Sequence, residues 1–170
     1  MATVIETQRL RLRRFTPDDA VFVLELVNDP DWLANIGDRG VRNVEDARRY
    51  IENSLMKLYE RLGFGLYLVE LKETGVPIGM SGLIKRDSLE DVDVGFAFLP
   101  AFRGKGYAVE SARAACDYGF EALALDRLVA ITAPDNDASG KLLERLGFVP
   151  QGTMPLGAEG EVSRFFTLDA

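Results

Sequence analysis

The chain has 170 residues, 47% of them hydrophobic and 28% charged, which suffices to bury one core and leaves too little for a second, so a single domain over 1–170 is expected. A formal net charge of −7 argues against nucleic acid as a partner, since clustered cations must neutralise phosphates, and favours a cationic or amine-bearing one. One cysteine leaves no internal disulfide, and the lack of histidine removes imidazole bases and histidine metal ligands, so no metal is expected and proton transfer falls to carboxylates, tyrosine, lysine or water.

No run of eighteen apolar residues occurs, and residues 1–6 lack a basic segment followed by an apolar one, which predicts a cytoplasmic protein with no membrane partner. Leu10 and Leu12 alternate with Arg9, Arg11 and Arg13, a period of two that predicts a half-buried strand with an arginine face. Thr16, Pro17, Asp18 and Asp19 open a helix as cap, first turn and dipole-matched carboxylates, and Asn28-Asp29-Pro30 end it. Residues 29–42 show neither period, so the only tryptophan, Trp32, reads as an aromatic anchor in a loop. Asn43 caps a second helix over 44–62, apolar at Val44, Ala47, Ile51, Leu55, Leu58 and Leu62, and Gly63 stops it.

Strands are predicted at 66–71, 78–85 and 92–99, with joins at 72–75 and 86–88 short enough for an antiparallel meander. A helix follows at 109–123. Cys116 lies on it among Ala112, Ala115, Gly119, Phe120 and Leu123 at helical spacing, which marks a packed side chain rather than a nucleophile. A strand at 128–132, a helix at 138–146 and strands near 148–153 and 162–168 complete an α+β order with a mixed central sheet.

Between the third of those meander strands and its helix stands Arg103-Gly104-Lys105-Gly106-Tyr107-Ala108. The first N–H groups of a helix have no internal partner and lie at the positive end of its dipole, and glycine lets a phosphate approach them. The nucleotide P-loop requires a longer glycine spacing that ends in Lys then Ser or Thr, and the dinucleotide fingerprint a third glycine; this stretch has neither.

The spacing of Arg103, Gly106 and Ala108 resembles the acetyl-CoA loop of the GNAT N-acetyltransferases. Asn136 and Ser139, followed by Leu142, Leu143, Glu144, Arg145, Leu146 and a closing Gly147-Phe148, resemble the last helix of that fold. Thr7, Arg9, Leu10, Leu12 and Arg13 are similar to the opening strand of the branch containing ribosomal-protein-alanine acetyltransferases. The pieces occur in family order over nearly the whole chain.

The resemblance implies a mixed, largely antiparallel central sheet with helices on both faces. It implies transfer of an acetyl group from acetyl-CoA, as cosubstrate, to a primary amine of a small molecule or protein N-terminus by direct attack in a ternary complex, and it allows a homodimer. The strands before and after the loop would splay to admit the pantetheine arm, whose amides would pair with the backbone of Phe96, Ala97 and Phe98. The loop N–H groups of Arg103, Gly104, Lys105, Gly106, Tyr107 and Ala108 would hold the pyrophosphate, with charge from Arg103, Lys105 and Lys141. Asn136 and Ser139 would bind the arm from the other side, and Trp32 would wall the acceptor.

A glutamate that the branch carries two residues before a strand glycine corresponds to Asp93, before Gly95. The shorter side chain implies a water relay for proton removal, and Asp91 on the same strand face is expected to raise its pKa. Where many members have a tyrosine that protonates the leaving thiolate, this chain has Leu143, so Ser139 or water takes that task, or the thiolate leaves unprotonated. The alternative is a module that binds acetyl-CoA or CoA without transferring.

Overall fold

The protein is described by a computed structural model covering residues 2–155 and 161–170. Its strands are β1 (Thr3–Glu6), β2 (Leu10–Arg13), β3 (Leu66–Leu71), β4 (Pro77–Ile84), β5 (Val92–Phe98), β6 (Arg127–Thr132), β7 (Val149–Pro155) and β8 (Val162–Asp169). The helices are α1 (Ala20–Val27), α2 (Pro30–Asn35), α3 (Val44–Tyr50), α4 (Met56–Leu62), α5 (Tyr107–Glu121) and α6 (Asp137–Arg145). The strands form one sheet in the order β1-β2-β3-β4-β5-β6-β8-β7. Neighbours run antiparallel throughout except β5 and β6, which are parallel, so the expected mixed, largely antiparallel sheet is the one observed.

Local chemistry accounts for most element boundaries. The Thr16 N–H donates to the Asp19 carboxylate at 2.9 Å, which holds a single 3-10 turn (Pro17–Asp19) ahead of α1. Asn43 accepts from the Asp46 N–H at 2.8 Å to cap α3, and Gly63 ends α4 in the left-handed region at φ 80°. The single helix expected over 44–62 is continuous but contains a wider π turn, Ile51–Leu55, between α3 and α4. α5 begins at Tyr107, two residues earlier than the apolar spacing predicts, because Gly106 at φ 83° serves as its cap.

Two elements were not foreseen. The segment around Trp32 is not a loop: Asp29 accepts from the Asp31 N–H at 3.2 Å and Pro30 supplies the first turn of α2, which at six residues is too short to show a period. β1 is a four-residue edge strand with no fully buried position, so it carries no alternation to read.

The two faces of the sheet are covered by different helices. Phe22, Val23, Leu26, Trp32, Ile51 and Leu55 of the α1–α4 run pack with Leu68 and Met80. On the opposite face Ala112, Ala115 and Cys116 of α5 and Leu143 of α6 pack with Leu83, Leu128 and Phe166. β5 is shared by parity: Val92, Val94 and Phe96 belong to the α5 side, whereas Ala97 joins the α1–α4 side. The arginine face of β2 is consumed by ion pairs, Arg11 and Arg13 with Glu70 at 3.3 and 3.2 Å and Arg13 with Asp19 at 2.9 Å. Among the described residues no helix is long and apolar enough to cross a membrane.

β4 lies so close to the start of β3 that a methyl group on Gly82 would collide with the Gly65 carbonyl oxygen and crowd Leu66 Cα. Neither is a flexible side chain. Gly82→Ala is therefore expected to lower unfolding free energy by about 2–3 kcal/mol in urea titrations, and an unchanged midpoint would contradict this packing.

Candidate active site

β5 and β6 pair only at Val92 with Leu128 and Asp93 with Val129. Beyond Asp93 their ladder ends, although β5 stays paired with β4 up to Phe98 and β6 with β8 up to Thr132. The Leu99 N–H donates to the Ile78 carbonyl at 3.0 Å. By alternation Ala97 also turns its backbone toward β4, which leaves the backbone groups of Phe96 and Phe98 facing the gap. The Phe98 carbonyl there accepts from Arg103 Nε and Nη2 at 3.0 and 2.7 Å.

The gap opens at the head of α5. Gly104 and Gly106 adopt φ of 73° and 83°, and among the described residues the N–H groups of 104–108 donate to no protein acceptor. Five consecutive open donors at a helix N-terminus form an anion-binding concavity. Arg103 does not contribute its amide, which donates to the Pro100 carbonyl at 3.2 Å. Its guanidinium is engaged as well, with Asp29 at 2.7 Å and with Asp31, so it ties the loop to α2. Lys105 and Lys141 are exposed and have no ion-pair partner among the described residues.

The loop is braced from the far edge of the sheet. Arg9 donates from Nε to Glu110 at 2.7 Å and from Nη1 to the Lys105 carbonyl at 3.0 Å, and its guanidinium lies 4.4 Å from the Tyr107 ring centroid. Glu110 also accepts from the Thr7 hydroxyl at 2.6 Å and the Arg9 N–H at 3.0 Å. Burial pushes the Glu110 carboxyl up, but these donors outweigh it and hold the group below its usual range. Thr7 and Arg9 read in the sequence only as parts of a strand, and Glu110 had no reading as a site residue. A hundred intervening residues hide the contact.

Asp93 is 1% exposed and sits on the strand face opposite Val92 and Val94. Its Oδ2 accepts from Arg86 Nε at 2.8 Å, while Oδ1 has no partner. Burial raises its pKa to about 6 even against the pull of Arg86 and Lys85. Asp91 precedes β5 and plays no part in that rise, so desolvation replaces the like-charge neighbour expected from the sequence.

Across the gap, Asn136 accepts from the Ser139 N–H at 3.3 Å and donates from Nδ2 to Ser139 Oγ at 3.0 Å, capping α6. The Ser139 hydroxyl proton remains available. Leu143 is buried between α5 and α6, so no phenol stands at that position. Trp32 lies within the α1–α4 core, its indole N–H buried and unpartnered. Burial raises the Cys116 thiol to about 12, consistent with packing rather than attack.

A splayed parallel pair with a glycine turn at the following helix is the hallmark of the GNAT arrangement. The acetyltransferase (GNAT) domain family matches residues 9–149, and the chain belongs to that family. YoaA, an uncharacterized N-acetyltransferase of Bacillus subtilis (strain 168), is 28% identical over 156 residues, 91% of this chain and 87% of its own length. A GNAT-family acetyltransferase from Bacillus anthracis superposes with a TM-score of 0.80 at 26% identity, covering 97% of each chain. RimL, a ribosomal L7/L12 alpha-N-protein acetyltransferase solved with coenzyme A, superposes at 0.73 with 16% identity over 99% of this chain and 98% of its own, a likeness of fold alone.

Carboxyl-detected NMR titration of Asp93 should give a midpoint near the value of about 6, against an ordinary 3.8. In Arg86→Gln, which removes the nearest cation, the midpoint should rise by about one unit. A midpoint near 4 in the native protein would contradict the burial of this carboxyl.

Proposed function

We propose that the protein is an N-acetyltransferase that moves an acetyl group from acetyl-CoA to a primary amine by direct attack within a ternary complex. The observation that carries this reading is the row of five open N–H donors at 104–108, placed where β5 and β6 part. A pyrophosphate fits such a concavity, and Arg9 and Glu110 keep it in shape from behind. Extended amides of a pantetheine arm suit the open backbone edge of Phe96 and Phe98, as an added strand would. Asn136 and Ser139 line the opposite wall at the head of α6.

An amine must lose a proton to attack, with a pKa of about 10.4 for a lysine-like group and about 8 for an α-amine. Asp93, with a pKa of about 6, is mostly ionised at neutral pH and basic enough to accept that proton through a water. The Phe96 N–H, turned into the gap, is the donor for the developing oxyanion. A C–N bond forms, the C–S bond breaks, and the sulfur takes a solvent proton relayed through the Ser139 hydroxyl, which is reprotonated by water in the same step, or leaves as a thiolate, which a thiol pKa of about 8.5 permits. Trp32, buried in the α1–α4 core, supports the acceptor side through packing rather than through contact with the amine.

Leu143 favours a second reading, a module that holds acetyl-CoA without transferring, because position 143 carries no phenol to protonate the sulfur. Free-thiol release that depends on an added amine decides against that reading. Acetyl-CoA binding with no release from a broad amine panel decides for it.

Gly106→Val puts a β-branched side chain at φ 83°, where it is strained, and its Cβ would lie 3.3 Å from Arg9 Nη2, so it disturbs the brace that shapes the loop. CoA affinity measured by calorimetry should fall at least tenfold, about 1.4 kcal/mol, and unchanged affinity in the folded variant would remove the proposed cofactor loop. Asp93→Asn should bind CoA normally yet turn over at least about tenfold more slowly. Because only the ionised carboxylate accepts a proton, native kcat/KM should climb as pH rises through about 6 and lose that limb in the variant. A limb that persists in Asp93→Asn assigns the titration to another group.

A further inference from the structure

We infer that the acceptor is a primary amine bearing an anionic group, a carboxylate or phosphate, which the cavity between the α3–α4 run and the ends of β3 and β4 receives. The inference rests on the acetyl-transfer reading and names its substrate class. The cavity has a volume of about 710 Å³, with Leu66 and Ile84 among its apolar lining. Arg39, Lys57, Arg61 and Arg86 also line it, against one carboxylate, Glu60.

Two of those cations are already committed. Lys57 pairs with Glu60 at 3.2 Å and Arg86 with Asp93 at 2.8 Å. Arg39 and Arg61 have no ion-pair partner among the described residues, whereas Arg9, Arg13, Arg103 and Arg127 each hold a carboxylate. Two uncommitted guanidiniums on one concave surface, in a chain of net charge −7, make a local positive field within a negative protein. Arg39 is further held beside the Tyr50 phenol, whose pKa burial raises and the guanidinium draws back. Guanidinium forks match carboxylate and phosphate alike.

The cavity adjoins the proposed base. Ile84, in its lining, pairs with Asp93 across the β4–β5 ladder, and Arg86 touches both cavity and carboxylate. Asp93 shares its strand face with Gly95, where a Cβ would lie 3.4 Å from the cavity residue Leu66. An anion held by Arg39 and Arg61 therefore leaves its attached amine on the side of the cavity lined by Ile84 and Arg86, the residues that border Asp93. A polyamine or a lysine-rich N-terminus meets repulsion there, opposite to the preference that the whole-chain charge suggests.

The test is calorimetric binding to the CoA-saturated protein of two probe pairs. One pair is hexapeptides with a free alanine N-terminus followed by Asp-Asp or Lys-Lys; the other is aspartate and putrescine, so the pairs separate peptide from small-molecule sources. In at least one pair the acidic probe should bind at least tenfold more tightly than the basic one, and Arg39→Gln/Arg61→Gln should abolish the preference while keeping CoA affinity and melting temperature. Each single variant, read alone if the double variant does not fold, should lose at least threefold. Equal or tighter binding of the basic probes, no binding of any probe, or a preference that survives the substitutions overturns the inference. Thiol release from acetyl-CoA is followed in parallel: bound acidic probe without release faults the transferase reading and not the anion site, whereas release with basic amines alone faults the anion site and not the transferase.

Discussion

Backbone groups inside a sheet are ordinarily paired on both sides, and β5 departs from that rule along one edge from Val94 onward. The departure is forced by a parallel neighbour that holds only at Val92 and Asp93 and then diverges while each strand keeps its other partner. Phe96 keeps its amide and carbonyl open to the gap and Phe98 its amide, since Arg103 takes the Phe98 carbonyl; an extended, amide-bearing guest would match them. The same divergence makes room for the glycine turn, and α5 starts with its unpaired donors aimed at the opening. A strand edge and a helix N-terminus thus meet at one opening, which is what the proposed function needs to hold an amide arm and a phosphate together.

Charge is deployed locally rather than on average. Arg9 and Glu110 form a buttress that fixes the Lys105 carbonyl and the Tyr107 ring, so the loop is shaped before any anion arrives. Arg103, which the motif suggests as a phosphate ligand, instead satisfies the Phe98 carbonyl and the acidic start of α2. That choice leaves the backbone donors and the exposed Lys105 as the groups that would meet a phosphate in the proposed site, and it ties α2 to the glycine loop. Asp93 follows the same logic: burial raises its pKa and one guanidinium limits the rise, which sets a carboxylate to a value useful for proton removal.

Much of this was legible in the sequence because it is written in local pattern. The Leu10 and Leu12 alternation, the Asn43 and Gly63 helix ends and the meander of β3, β4 and β5 all follow from periods and caps spanning a few residues. β1 and α2 escaped because four and six residues are too few for a period to emerge. The glycine loop was found, but the partners that shape it were not: Glu110 and Arg9 meet only once the sheet edge folds against α5. Asp93 was singled out by its place before Gly95, while the cause of its raised pKa is burial, a property of the packed layers rather than of the spacing to Asp91. The direction taken by the Arg103 guanidinium likewise depends on α2, an element the sequence did not announce.

Amide-resolved NMR during titration with acetyl-CoA reads the open donors one by one. The largest downfield amide shifts are expected at residues 104–108, as open donors acquire phosphate oxygens, with a second group at Phe96 and Phe98. Saturable binding with those amides unmoved, or with the principal shifts on another face of the molecule, would contradict the proposed cofactor site.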